Sequence, residues 1–469
     1  MSLQELCARL SELNAVEIDT RPDLQKVSEK LQRDKILVQR QLNAVRDPIA
    51  RLPLELSSEI FLRSLSPFPK PGVSHAPMLL LNVCNAWTDI ALSTPDLWTA
   101  IQIEFPCTDD LAHLLPIWFL RARARPLSVF FRGDFWMWNP IVSSVIWRHG
   151  PQLGHLKTLH DCKHGDESNI VIDLFHGATP KAMPLLKHLM LQTSDSTTWQ
   201  RYLPHQILDI LRLAPNIIDC VLGTMWGVPE SRFTGEKPTL ASLRRLTFGE
   251  RESINNDDLI FNHLSLPALE ALSVSVRFPS APLLRLLERS APPLQELTMG
   301  WSQYLGMNSD YLHECLHHIP SLASFRMWEP SAEIVVNFFA ALADSPSLLP
   351  NLCRLAFHMT IRSSPQITDL FWRPLLRAVS TRRMDLHVGN FLEAPPPDIL
   401  AALQDLADDR SHVNGDKRDD CDPQVFDFQF SFSSRAKQFA KRYETQPVFC
   451  EQPPRGDFDF GASAGTTLG

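Results

Sequence analysis

Two stretches of the sequence carry residue types that could support catalysis or metal binding. The segment GASAG, from Gly461 to Gly465, has the G-x-S-x-G spacing of a hydrolase nucleophile turn. No strand-like run precedes it and no helical pattern follows it, so we expect a chance match. The segment HDCKH places His160, Cys162 and His164 at alternate positions, where they would share one face of a strand. No second group of ligands is evident, so a polar strand edge is expected there rather than a metal site.

The remaining cysteines and glycines form no recognisable catalytic motif. The nine cysteines include no Cys-x-x-Cys pair, and the eighteen glycines include neither G-x-G-x-x-G nor a phosphate-binding P-loop. Scattered cysteines are typical of reduced thiols, and Cys84, Cys220 and Cys353 stand in apolar patterns that predict small core residues. The sequence therefore predicts a protein that is not an enzyme, with no catalytic residues, no cofactor and no metal.

Composition and charge narrow the class of partner. The formal net charge of -8 argues against nucleic acid, because phosphate contacts need a basic surface. The apolar runs are too short to cross a bilayer, and the N-terminus carries no apolar block of the signal-peptide type. We therefore expect a protein of the cytoplasm, the nucleus or both, with neither nucleic acid nor membrane as its partner.

A short apolar motif repeats between residues 102 and 404. Its pattern is apolar-x-x-apolar-x-apolar, as in Leu243, Leu246 and Phe248 of SLRRLTF. Amphipathic segments such as HQILDILRLAP and AEIVVNFFAALADSP lie between the copies and predict helices. The central apolar residues of the nine copies, called anchors below, are Leu159, Leu189, Cys220, Leu246, Leu272, Leu297, Phe325, Leu355 and Leu386.

The spacing of the anchors predicts an α/β fold built from stacked units. Successive anchors are separated by as few as 25 residues, between Leu272 and Leu297, and as many as 31, between Leu189 and Cys220. A near-constant period of this size is typical of an irregular leucine-rich-repeat solenoid, a curved parallel sheet with outer helices. The alternative is an unrelated α/β domain with similar alternation of strands and helices. Residues 405–469 break the pattern and are predicted to be a charged linker and a largely disordered tail.

Residues 1–46 read as an amphipathic helical segment with a partial heptad repeat. One heptad position carries Leu24, Leu31 and Val38, while Pro22 interrupts the helix. Two interpretations stay open. The segment is either a coiled coil through which the chain associates with itself, or an amphipathic hairpin that folds against its own domain.

Residues 47–101 contain two short helical patterns joined by a proline-rich linker. The first is DPIARLPLELSSEIF, in which Leu52, Leu56 and Ile60 share one helical face. The second is LLLNVCNAWTDIALSTPDLWTAI. The I-x-x-L-P-x-E opening, the V-C-x-x-W centre and the IALSTPDLW close together resemble the F-box family, and this motif covers about 55 residues. The resemblance implies a trihelical F-box that binds a Skp-type adaptor and, through it, a cullin.

The resemblance also implies which residues meet the adaptor. Two features depart from the family pattern, because Asn85 and Ala86 replace the basic pair that often follows the cysteine and the linker between the helices is long. Carried over residue by residue, the adaptor-binding set is Leu52, Pro53, Leu56, Ile60, Phe61, Val83, Cys84, Trp87 and Ile90.

The repeats are predicted to bind a protein target through side chains that alternate with the anchors. Arg326 and Trp328 are the strongest candidates, since exposed arginine and aromatic side chains often anchor interfaces. The full candidate set is Met190, Thr298, Arg326, Trp328, His358 and His387. Two functions remain: the substrate-recognition subunit of an SCF-type cullin ubiquitin ligase, or a non-catalytic scaffold that assembles through its N-terminal helix without the adaptor.

Overall fold

The structure is a computed structural model that describes most of the chain between residues 22 and 413. The described residues are 22–135, 138–160, 171–193, 201–223, 225, 237–248, 260–274, 280–300, 309–328, 330–358, 369–382, 384–389, 396–413 and 429–431, with positions 5, 8 and 9.

The described residues form eleven α-helices, which are numbered here in chain order. In this part of the chain, no helix is both long and apolar enough to cross a membrane. The helices are α1 (Pro22–Arg46), α2 (Leu54–Ser64), α3 (Asn85–Ser93), α4 (Asp110–Ala122), α5 (Pro140–Arg148), α6 (Pro204–Leu213), α7 (Ser280–Ser290), α8 (Ser309–His317), α9 (Ala332–Asp344), α10 (Asp369–Thr381) and α11 (Pro397–Val413).

Twelve of the described strands form one parallel sheet in which the strands follow their order in the chain. Two further strands, β4 (Val171–Ile172) and β6 (Arg201–Tyr202), pair with each other beside it. The main sheet consists of β1 (Ala100–Phe105), β2 (Leu127–Gly133), β3 (Leu153–His160), β5 (His188–Thr193), β7 (Asp219–Leu222), β8 (Arg245–Phe248), β9 (Ala271–Val274), β10 (Glu296–Gly300), β11 (Ser324–Trp328), β12 (Arg354–His358), β13 (Asp385–Gly389) and β14 (Gln429–Ser431).

The strand register confirms the predicted α/β class and eight of the nine anchors. From Leu189 to Leu386, each predicted anchor pairs directly with the next. Every member of the resulting column is at most 2% exposed. The column is Ile101, Val129, Leu156, Leu189, Cys220, Leu246, Leu272, Leu297, Phe325, Leu355 and Leu386.

The first predicted anchor, Leu159, is wrong. Leu156 pairs with both Val129 and Leu189, whereas Leu159 pairs with Arg132 and Gln192 and is half-buried. Side chains alternate between the two faces of a strand, so the offset of three residues moves Leu159 to the opposite face. The ladder also begins earlier than the recognised repeats, at Ala100 in β1.

Helices cover one face of the sheet, and the other face is only partly covered. A continuous apolar core extends from Phe61 to Leu403 and includes the inward residues of the helices, such as Phe338 and Phe339 of α9. The opposite side chains of the central strands, from Met190 to His387, are half-buried. This second surface is called the open face below.

Two arginine side chains, those of Arg382 and Arg289, donate hydrogen bonds to backbone carbonyl oxygens in turns of the chain. Arg382 donates hydrogen bonds to the carbonyl oxygens of Leu342, Ser345, Leu348 and Leu349. In the same way, Arg289 donates to Phe261 and Leu264 in an earlier unit. The carbonyl oxygens of Ser345, Leu349 and Phe261 also accept backbone N–H groups, so the guanidinium groups supply additional charge-assisted donors to these turns.

Two other features differ from the sequence-based expectations. Helix α11 continues to Val413, past residue 404 where a linker is predicted, and Leu406 packs against the core. Acidic residues such as Asp405 interrupt the apolar pattern from this point, so the pattern does not predict the last part of the helix. Cys84 and Cys220 are buried as predicted, but Cys353 is exposed and its prediction as a core residue is wrong.

Removing the Arg382 guanidinium should destabilise the fold. We expect Arg382→Ala to lower the free energy of unfolding by roughly 2–3 kcal/mol, because several carbonyls lose charge-assisted partners. Arg377→Ala is the matched control, since Arg377 forms an exposed ion pair with Asp344 and should contribute less than about 1 kcal/mol. Urea unfolding of the two variants and the wild type measures both values. Equal stabilities of the two variants would contradict the assigned role.

Candidate functional site

The residues singled out for catalysis do not form a reactive site among the described residues. His160 is fully buried, and its Nδ1 accepts a hydrogen bond from the backbone N–H of Phe135 at 3.0 Å. Cys162, His164 and the segment from Gly461 to Gly465 lie outside the described residues. Within the described part of the chain, no group of three or more His, Cys, Asp or Glu side chains could hold a metal ion.

Helix α2 turns its apolar face outward. Ser57 and Phe61 are its buried side chains, and the Ser57 hydroxyl donates to the carbonyl oxygen of Ile49 at 3.1 Å. Leu56 and Ile60, one turn apart, are 55% and 43% exposed. A polar residue therefore faces the interior and a leucine-isoleucine pair faces solvent, opposite to the usual arrangement. The docking face is defined here as Leu52, Pro53, Leu56 and Ile60, all of which are exposed.

Residues 47–101, with helices α2 and α3, are called the helical unit below. The other residues of the predicted adaptor-binding set lie inside this unit or at its border. Phe61 and Cys84 are buried, while Val83, Trp87 and Ile90 are half-buried. The Trp87 ring packs 4.9 Å from Phe61, and its indole N–H donates to the Asp47 carboxylate. The structure therefore divides the set into four exposed residues and five that support them.

Sequence reasoning missed three exposed apolar residues of the same unit. Leu54, Leu79 and Leu92 each expose at least 40% of their surface. Leu54 alternates with Leu52 and Leu56 in the sequence LPLEL, and Leu79 opens the run LLL. Helical periodicity assigns some leucines of these runs to the interior and does not indicate which ones remain exposed.

Helix α1 packs against the helical unit near its C-terminal end. Val38 of the heptad stripe is buried, as is Leu42, which lies outside the stripe. Between them, the Arg40 guanidinium donates to the carbonyl oxygen of Leu81 and to the Thr88 hydroxyl, each at 2.9 Å. Val38 is thus a stripe residue that the chain itself buries, whereas Leu31 is half-buried. Self-association through residues 1–46 remains a prediction, and most of residues 1–21 lie outside the described part of the chain.

The register brings several of the predicted target-binding residues into one row on the open face. Thr298, Arg326 and His387 belong to a single lateral column, with Ala356 between Arg326 and His387. At about 4.8 Å per strand, Arg326 and His387 lie about 10 Å apart. Met190 occupies the same column four strands before Thr298, about 19 Å away.

Trp328 lies on the same face but one position beyond this column. It follows Arg326 by two residues and pairs with His358 in the ladder. Trp328 is half-buried, whereas the structure describes only the backbone of His358. The candidate set therefore shares one face without forming one compact cluster.

A second row on the open face was missed by sequence reasoning. His155, His188 and Asp219 occupy equivalent positions on neighbouring strands, and His188 Nδ1 lies 2.9 Å from Asp219 Oδ2. Burial is the largest cause that lowers the pKa of His155 to about 4, and the nearby His188 and Lys157 act in the same direction. Each of these residues lies two positions before the open-face column that contains Met190, so the row can be recognised once the register of the strands is known.

Comparison with known proteins adds no relative. No protein-family model matches the chain, and no curated protein gives a significant match. The resemblance to the F-box family therefore rests on the motifs in residues 47–101 and on the general layout.

The row of His155, His188 and Asp219 predicts that His155 makes the stability of the fold sensitive to acid. The pKa of His155 in the folded state lies below its ordinary value of 6.5. The unfolded chain therefore binds a proton more readily, and stability falls as the pH drops from about 6.5 towards 4. One such group contributes at most about 1.4 kcal/mol per pH unit.

Replacing His155 should remove this contribution. We expect the free energy of unfolding of His155→Gln to decline less steeply than that of the wild type over the same pH window. Urea unfolding at several pH values between 4 and 7 measures the difference. Identical pH dependences in the two proteins would contradict the prediction.

Proposed function

We propose that the chain is the substrate-recognition subunit of an SCF-type cullin ubiquitin ligase. In this proposal residues 47–101 act as an F-box and dock onto a Skp-type adaptor. The sheet and its helices act as an irregular leucine-rich-repeat solenoid that captures a protein target. The observation that carries the proposal is the docking face, an apolar helical face left exposed on a small helical unit.

The docking face has the chemistry expected of a helix that packs against partner helices. Leu56 and Ile60 repeat at helical spacing and expose far more surface than the buried Phe61 beside them. Burying an exposed leucine or isoleucine in an interface stabilises it by roughly 1.5–3 kcal/mol. A partner that covered this face would therefore gain affinity from side chains that contribute little to the isolated chain.

The repeated units and the open face support target recognition. Anchors spaced by 25–31 residues pair in direct register, the arrangement expected when successive repeats stack. Arg326 and Trp328 project from one strand onto the half-buried open face. Arginine and aromatic residues are enriched among the residues that dominate binding energy at interfaces.

The proposed mechanism needs no catalytic residue in this chain. Binding a target on the sheet while the helical unit holds the adaptor raises the local concentration of the target near the ubiquitin carrier. Such a complex would act in the cytoplasm, the nucleus or both. The alternative, a scaffold that assembles through its N-terminal helix, has less support, because Val38 and Leu42 already pack inside the chain.

Binding to a purified Skp-type adaptor tests the proposal. We expect the wild-type chain to bind in isothermal titration calorimetry, and Leu56→Ala/Ile60→Ala to bind at least about tenfold more weakly, through loss of buried apolar area. Ile117→Ala/Leu120→Ala is the matched control, because this equally apolar pair is 52% and 78% exposed on helix α4. The control should bind like the wild type.

A third variant separates direct contact from support. Trp87→Ala should lower the melting temperature, because the indole packs on Phe61 and bonds to Asp47. Leu56→Ala/Ile60→Ala should leave the melting temperature nearly unchanged. A folded wild-type chain that fails to bind the adaptor would overturn the proposal, as would equal binding by the docking-face variant.

A further inference from the structure

The proline-rich linker between helices α2 and α3 crosses the sheet instead of running over the helices. Residues 66–71 of this linker are called the strap below. Phe68 of the strap lies on the open face, with its ring 5.3 Å from Phe130 of β2 and 5.8 Å from His155 of β3, both in edge-to-face geometry. The Lys157 ammonium lies 5.0 Å from the Phe130 ring. An aromatic side chain of the strap thus fills a position between two strands.

The strap also makes polar contacts with the first strand of the sheet. The backbone N–H of Gln102 donates to the carbonyl oxygen of Pro69 at 2.8 Å, beyond the hydrogen bonds of the ladder. The Lys70 ammonium lies 2.7 Å from the Glu104 carboxylate, and both side chains are about half exposed. The surface of β1–β3 therefore accepts an aromatic ring, a backbone carbonyl and a cation from one short segment.

The strap is not what attaches the helical unit to the sheet. Trp98 is fully buried, its ring packs 5.1 Å from Trp118 of α4, and its indole N–H donates to Ala91 at 2.9 Å. The Arg121 guanidinium covers the same ring at 4.4 Å. These contacts lie in the shared core and involve no residue of the strap, so the helical unit is held to the sheet independently of the strap.

We propose that the strap is a displaceable cover over a peptide-binding surface formed by β1–β3. The ligand is a short segment of a partner protein in which an aromatic residue is followed by proline and lysine, as in Phe68, Pro69 and Lys70. Proline restricts the backbone of such a segment, and its carbonyl oxygen is the acceptor that the backbone N–H of Gln102 meets. The aromatic ring, the proline carbonyl and the lysine ammonium of the bound segment would take the places of Phe68, Pro69 and Lys70.

The surface under the strap lies next to the strand that carries Met190 of the predicted target-binding set. His188 of β5, which neighbours His155 with ring centroids 5.7 Å apart, continues the open face towards Met190. A segment bound in place of the strap would extend directly onto the predicted target-binding column. The inference does not depend on adaptor docking, because the strap contacts the sheet and the docking face does not take part.

A fluorescent peptide with the sequence of residues 65–72, LSPFPKPG, is the probe. We expect the full-length variant Phe68→Ala/Lys70→Ala to bind it at least about tenfold more tightly than the wild type in fluorescence polarisation. The apparent affinity of the wild type is reduced in proportion to the small fraction of molecules whose surface is uncovered. Val73→Ala, in the same linker but 68% exposed, is the matched control and should behave like the wild type.

Two further variants define the surface. Adding Phe130→Leu to the uncovered variant should weaken peptide binding at least about tenfold, through loss of the aromatic edge contact. A peptide with alanine in place of phenylalanine should not bind. The proposal is overturned if the folded uncovered variant binds the peptide no better than the wild type. It is equally overturned if that variant forms a dimer that excludes the peptide, since the occupant is then a second copy.

Discussion

The column of buried anchors from Ile101 to Leu386 is the constraint on which the structure depends. A parallel strand cannot satisfy its backbone or cover its apolar face alone, so each strand relies on its neighbours in the sheet and on the side chains that cover its apolar face. The free edges of such a sheet need protection. At β1 the strap supplies a carbonyl to Gln102, and at β13 the short strand β14 continues the ladder.

The helical unit shares one continuous apolar core with the sheet. Trp98 closes the unit and packs on Trp118 at the base of the first repeat, which fixes the unit relative to the sheet. Its small interior is already filled by Phe61, Cys84 and part of Trp87. Leu56 and Ile60 therefore remain outside, and an exposed face of this kind is a cost that a binding partner would offset.

Periodicity predicted the α/β class and the anchors from Leu189 to Leu386, because one physical requirement acts at each of these strands. The anchors from Leu189 to Leu386 had to be apolar and evenly spaced to pair in register, and both properties are visible in the letters of the sequence. Leu159 was misassigned because two apolar residues three apart, Leu156 and Leu159, fit the motif equally well. Only the pairing with Val129 and Leu189 distinguishes them.

The surfaces were harder to predict, because exposure depends on what the rest of the chain covers. The pattern of helix α2 placed Leu52, Leu56 and Ile60 on one face but could not indicate that this face would be exposed while Ser57 is buried. It also could not separate the exposed residues of the motif from Phe61 and Cys84, which are buried. The strap on the open face was invisible, since its contacts join residues about 30 to 90 positions apart.

The most direct test of the account is backbone hydrogen exchange of helix α2 in the presence and absence of saturating purified Skp-type adaptor. The account predicts that amides within Leu54–Ser64 exchange at least about tenfold more slowly in the complex, because a covered helix opens less often. Strands β5 to β13 should exchange at unchanged rates. Unchanged exchange in helix α2 at saturation, or protection confined to another part of the chain, would contradict the proposed docking.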